Sequence, residues 1–201
     1  MRSGVRIPQG ALYEKSHRQT DCAGAGCNIA AERWPDGRLG SVAPTQNEID
    51  NGFMRLALEQ AHLAPAHDDV PVGAIAVSAG DIVYSAHNER ELRSDPTAHA
   101  EIVCLRGAAR RLARWRLSGV TLYSTVEPCP MCAGALVAAR VQRLVYGAPD
   151  VLGGAAWSIY NIVQDPRLMH RCELTSGVLR EECAAVIQAF FEKKRQPVQF
   201  L

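Results

Sequence analysis

Two short clusters of metal-binding side chains constrain this chain more than any other feature. The first is Thr97-Ala98-His99-Ala100-Glu101, just after Pro96; the second is Glu127-Pro128-Cys129-Pro130-Met131-Cys132, thirty residues on. Both read as places where a strand or loop feeds a helix. Pro130 suits a first helical position, because its missing N–H would be unpaired there anyway. Cys129 then caps that helix and Cys132 lies in its first turn. The positive end of the helix dipole faces both sulfurs and favours thiolates. Two thiolates and one imidazole suit tetrahedral Zn²⁺.

A structural zinc would need a fourth protein ligand. Cys104 is the nearest candidate by sequence, but it follows His99 by about 140° round a helix and should point elsewhere. Glu101 lies about 200° round from His99, which makes a shared inner shell awkward. At a first turn it could instead lean over a water held on the metal. Three ligands, one open position and a nearby carboxylate describe a catalytic zinc. A structural zinc is the alternative, since C-x-x-C or H-x-E alone is a weak signal.

The bulk numbers bound the rest. At 201 residues, 47% hydrophobic and 21% charged, the chain suits a soluble globular domain with or without a tail. No apolar run approaches the roughly 18–20 residues of a membrane span. The start, Met1 to Pro8, is basic but lacks the apolar stretch of a secretory signal. With 22 Lys+Arg against 21 Asp+Glu, no general polyanion-binding surface is visible, although local patches remain open. Seven cysteines without a signal argue for a reducing compartment rather than a disulfide scaffold.

Residues 1–45 hold repeated Gly and Pro and no lasting periodicity, and read as an N-terminal extension that is disordered. Val5-Arg6-Ile7-Pro8 is also what the T-arm of a tRNA gene encodes when read in frame. A start called too far upstream, with the real one near Leu39 or Val42, is therefore weighed evenly against a genuine extension. Residues 46–201 read as the folded domain. Ile49, Phe53, Leu56, Gln60 and Leu63, with Ala57 and Ala61, give a helix of about 16 residues with one apolar face. Gly73–Val77 and Ile82–Ala86 make a hairpin. Helices are expected over Ala98–Leu112 and Pro130–Arg140, strands over Val120–Val126 and Gln142–Tyr146. A short helix is expected near Ser158–Val163, a short strand at Arg171–Leu174, and a last helix through Leu179, Cys183, Val186 and Phe190. Alternating strands and helices imply an α/β fold, a three-layer α/β/α sandwich with a mostly parallel half sheet.

His99-Ala-Glu101 with Pro128-Cys129-x-x-Cys132 resembles the zinc-dependent nucleoside and base deaminases, whose signature this is. Further matches resemble the bacterial tRNA adenosine deaminases. They include Val70-Pro-Val-Gly-Ala74, Asn88, Asp95-Pro-Thr-Ala-His-Ala-Glu101, Asp150, Gly154-Ala-Ala156, His170-Arg171 and Phe190-Phe191. They span about Asn47 to Arg195.

This resemblance implies a cytidine deaminase-like fold with a five-stranded mixed sheet, a cytoplasmic homodimer and one zinc per subunit. It implies hydrolytic conversion of the wobble adenosine of a tRNA anticodon, expected in an arginine tRNA, to inosine. His99, Cys129 and Cys132 would hold zinc, whose hydroxide attacks C6, and Glu101 would shuttle protons. Asn88 would hydrogen-bond the purine, Asp150 would contact a ribose, and Val70, Ala100, Phe190 and Phe191 would also meet the substrate. Backbone N–H groups beside Ala100 and Cys129 would lie near the attacked carbon. The adenine must be splayed from its stack into the pocket. The same chemistry on a free base or nucleoside is the alternative, and near-neutral charge mildly favours it. A non-catalytic zinc module that binds RNA is a third reading, which an intact Glu101 opposes.

Leu152 stands where the family often has a basic residue, and Trp157 where it often has glycine. Base stacking could replace charge here; packing of Trp157 against the last helix is the plainer expectation. Arg106, Arg110, Arg111, Arg114 and Arg116 read as a solvated basic face or a phosphate track. Cys104, Cys172 and Cys183 suit core positions. His170 suits a loop hydrogen bond, and His87 could line the pocket.

Overall fold

The computed structural model describes residues 44–195. The expectations for residues 1–43 therefore lie outside the described residues. Helix α1 spans Gln46–Ala61. Thr45 starts it with a capping box: its hydroxyl accepts from the Glu48 N–H, and the Glu48 carboxylate takes the Thr45 N–H at 2.7 Å. Strands β1 (Gly73–Ser78) and β2 (Asp81–His87) form the expected hairpin. A short helix α2 (Arg90–Arg93) precedes α3 (Ala100–Arg111). Then come β3 (Val120–Val126), α4 (Pro130–Ala138), β4 (Arg143–Ala148), β5 (Glu173–Ser176) and α5 (Arg180–Arg195).

The sheet order is β2-β1-β3-β4-β5. β1 runs antiparallel to β2 and β3, whereas β3, β4 and β5 are parallel. This is the expected five-stranded mixed sheet of a three-layer sandwich. Successive strand side chains point to opposite faces. Ile75, Val77, Tyr123 and Val145 pack with Met54 of α1 and Cys183 of α5. Ala74, Ala76, Leu122, Leu144 and Tyr146 pack with Val103 of α3 and Leu136 of α4. α1 lies close on β1: a Cβ on Gly73 would sit 1.9 Å from the Ala57 carbonyl oxygen.

Three expectations need correction. The buried stripe of α1 is Asp50, Met54, Ala57, Leu58 and Ala61: Ala57 and Ala61 lie as expected, Phe53 and Leu56 pack at its edge only partly buried, and Leu63 is exposed. The cause is Asp50. Its carboxylate accepts two bonds from Arg143, at 2.9 and 2.6 Å, and one from the Tyr123 hydroxyl at 2.8 Å. A buried charge needs such partners, and this one turns the helix toward them. Arg143 and Tyr123 outweigh the burial of Asp50, so its carboxyl lies below the usual range. Second, Ser158–Val163 forms turns and irregular backbone rather than a helix: the Ile159 and Tyr160 N–H groups both reach the Gly154 carbonyl and the Ile162 N–H that of Ala155, so no i to i−4 ladder forms. The last strand also begins two residues later than expected, at Glu173.

Candidate active site

The topology brings four chain segments to one edge of the sheet. β3 and β4 are parallel with Val126 beside Ala148, so Glu127–Cys129 and Pro149–Asp150 leave the sheet side by side at its carboxyl end, where open α/β sheets bind ligands. β1 is antiparallel to β3 and β2 to β1, so the start of β1 and the end of β2 reach the same edge. There the Asn88 N–H bonds the Val72 carbonyl at 2.9 Å. His99 and Cys129 are the N-caps of α3 and α4. Neither gives its helix a side-chain cap bond, so both side chains stay free to turn to one another.

His99 Nδ1 lies 3.6 Å from Cys129 Sγ and 3.6 Å from Cys132 Sγ. The three ligand atoms all fall within 4.8 Å of one another, the one such group among the described residues. Tetrahedral zinc bonds of about 2.0–2.3 Å separate N and S by about 3.6 Å, so the donor set fits that metal in spacing and in chemistry. The two thiols oppose one another's titration. The hydrogen bond from Cys132 draws the Cys129 thiol down to about 4, while the bond to Cys129, with burial, pushes Cys132 up. The Cys129 contact also raises His99.

Glu101 is buried in the first turn of α3, and burial pushes its carboxyl above the usual carboxylate range. It lines a cavity of about 340 Å³ with His99, Ala100, Cys129, Asn88 and Asp150, a volume suited to a small ligand. Val70 and Phe191 also line it. Cys132 is fully buried behind them. Phe190 instead borders an adjoining space of about 90 Å³ and meets Phe191 edge-on, with ring centroids 5.4 Å apart. The Asn88 side chain is buried and its Oδ1 has no partner.

Cys104 points away, toward the Tyr84 carbonyl at 3.5 Å, and Cys172 and Cys183 are buried. His170 bonds the Val141 carbonyl at 2.6 Å. His87 does not line the cavity; it stacks on His67, ring centroids 5.6 Å apart. The arginines from 106 to 116 are exposed, and Arg116 lies over the Trp115 ring. Packing of Trp157 against α5 is overturned, since Trp157 is 69% exposed. Leu152 is 89% exposed. Three features of the site carried no expectation. Arg90 lines the cavity, Asp69 holds the Glu91 and Leu92 N–H groups behind it, and Glu127 gathers the loop after Asp150. Only Glu127 left a sequence signal, its place directly before Pro128-Cys129.

Residues 47–148 match the cytidine and deoxycytidylate deaminase zinc-binding region. The tRNA-specific adenosine deaminase of Bacillus subtilis is 44% identical over 152 residues, covering 76% of this chain and 92% of that one. Its counterpart from Haemophilus influenzae is 45% identical over 156 residues, 77% of this chain and 90% of that one. A structure from work on A-to-I editing by tRNA:A34 deaminases at the wobble position is 41% identical, with a TM-score of 0.65 over 67% of this chain and 98% of that one. A guanine deaminase from Nitrosomonas europaea is 25% identical, with a TM-score of 0.59 over 70% of this chain and 83% of that one. The chain belongs to the cytidine and deoxycytidylate deaminase zinc-binding family, among its tRNA-specific adenosine deaminases.

Proposed function

We propose that this chain is a zinc-dependent deaminase that converts the wobble adenosine of a tRNA anticodon, in an arginine tRNA, to inosine and ammonia. The observation that carries the reading is the convergence in one cavity of the His99-Cys129-Cys132 donor set, buried Glu101 and the unpartnered Asn88 amide. The relatives of 44–45% identity supply the substrate class.

His99, Cys129 and Cys132 hold the metal. Bound zinc supplies Lewis acidity that lowers the pKa of a water toward about 7. Glu101 would carry both protons: one from the attacking water to adenine N1, then the remaining hydroxyl proton to the amine that leaves as ammonia when the C6 carbonyl forms. A raised carboxyl suits both tasks, because it holds a proton more readily than an exposed carboxylate does. Asn88 offers a donor and an acceptor to the base edge. The first-turn N–H groups of α3, beside Ala100, face the charge that develops at the attacked carbon. Val70 and Phe191 exclude water, and Asp150 meets a ribose at the mouth.

A homodimer in the cytoplasm, with one zinc per subunit, belongs to the same reading. The thiols of Cys104, Cys172 and Cys183 are free, as in reducing compartments. Among the described residues no helix is long and apolar enough to cross a membrane. Residues 46–201 are proposed to be the deaminase domain, with 1–45 dispensable. The test is parallel incubation with a wobble-A arginine tRNA, its anticodon stem-loop, guanine and cytosine. Inosine in both RNAs with little turnover of free bases is expected. Fast turnover of a free base without inosine overturns the reading.

A further inference from the structure

Five donors converge on the carboxylate of Glu127, and the reaction gives that carboxylate no task. Glu127 is 2% exposed and directly follows β3. Its Oε1 accepts the N–H groups of Ala156, Trp157 and Ser158 at 3.1, 2.7 and 2.8 Å. Its Oε2 accepts the Asp150 N–H at 3.1 Å and the Ser158 hydroxyl. All five donors come from the segment 150–158, which has neither helix nor strand of its own. The wrap is close: a Cβ on Gly154 would lie 2.4 Å from Glu127 Cδ and 2.5 Å from the Asp150 carbonyl oxygen. The Ala155 N–H meets the Pro128 carbonyl at 2.8 Å, which fastens the same loop to the residue before Cys129.

The consequence for function lies at Asp150. It lines the cavity, but no regular element fixes it. Its Oδ1 is engaged with the Leu152 and Gly153 N–H groups, both at 3.0 Å, so it moves with the loop. The geometry points to Glu127 as the positioning residue of this site. It holds 150–158 as one piece, sets Asp150 for the substrate strand, and takes no part in proton transfer. This takes both oxygens of a carboxylate. An amide has one acceptor oxygen, and its NH₂ would oppose the loop's N–H groups. The inference rests on the proposed function for the identity of the substrate alone.

The test uses the full zinc-loaded chain carrying Glu127→Gln, and separately Ser158→Ala, which removes only the hydroxyl donor. Amide hydrogen exchange at Ala156, Trp157 and Ser158 should quicken by about tenfold or more in Glu127→Gln, and less in Ser158→Ala. Zinc should stay at one per chain. With the anticodon stem-loop, KM should rise more than kcat falls. Adding Asp150→Ala to Glu127→Gln should cost little further, because both changes remove one contact. Unchanged exchange overturns the inference, as does a fall in kcat at constant KM, or full additivity with Asp150→Ala. If Glu127→Gln does not fold, Ser158→Ala decides by the same exchange and KM comparison. If the wild-type chain makes no inosine, the proposed function fails, and exchange still decides whether Glu127 holds the loop.

Discussion

The metal-donor wall and the loop from Asp150 to Ser158 face one cavity and are ordered by different means. In the wall, every working side chain sits at a helix start: His99 and Cys129 as N-caps, Glu101 and Cys132 in the first turns. The helices are packed into the core, so the side chains inherit its rigidity. The loop has no element of its own. Its backbone is gathered inward by Glu127, while its outer side chains, Leu152 and Trp157, stand in solvent. Chemistry that must hold atoms to a fraction of an ångström is placed on packed helices. Recognition of a flexible strand is left to a pinned loop whose surface can change without disturbing the metal. The comparison predicts that wall variants lose zinc or turnover, and that loop variants lose substrate affinity with zinc intact.

The largest effects should come from the ligands. Cys129→Ser, Cys132→Ser and His99→Ala should each lose most of the zinc and essentially all activity. Metal analysis showing full zinc in all three would remove the assignment. Metal binding stabilises the folded state, so these variants should melt earlier, by about 2–4 °C for each kcal/mol of binding lost. Zinc should also be released as pH falls. The Cys129 contact raises His99, and zinc must compete with the proton that His99 then keeps. Next is Glu101→Gln, which should retain zinc yet turn over about 10²–10⁴ times more slowly. Zinc loss in that variant would put the carboxylate on the metal and break the division of roles within the wall.

The wall was legible in the sequence because its chemistry admits few residue types, and their spacing fixed both helix starts. β3 and the hairpin were legible for a similar reason, through alternation and turn residues. What escaped was set by distant partners. The α1 stripe turned on Asp50, whose partners Tyr123 and Arg143 lie 73 and 93 residues away. The helix expected near Ser158–Val163 gave way to turns whose N–H groups reach back to Gly154 and Ala155, in a loop pinned by Glu127, 31 residues before Ser158. A carboxylate that acts through backbone donors leaves no motif in the residues it binds.

On the loop side, Asp150→Ala should raise KM for the anticodon stem-loop by about tenfold or more, the scale of a lost charge-assisted hydrogen bond, and keep one zinc per chain. Zinc loss would mean that the loop and wall are not separable. Trp157→Ala comes next. Its ring is free of the core, and stacking on a base is worth about 1–3 kcal/mol, so KM should rise at least about fivefold. An unchanged KM would show that the ring meets no base.

The smallest effect is expected from Leu152→Lys. Leu152 is 89% exposed, so a lysine there disturbs no packing, and the fold and zinc content should not change. The substitution asks whether the RNA backbone passes over this part of the loop. If it does, the new ammonium neutralises a phosphate and releases counterions. The plot of log binding constant against log salt should then steepen by about 0.7, the value for one contact to a single strand. Affinity should gain a few-fold at low salt and nothing at high salt. An unchanged slope would place the phosphates elsewhere, with the exposed arginines between Arg106 and Arg116 as the next surface to test. In that case the loop reads bases and ribose alone, and loop and wall differ even more in what they contact.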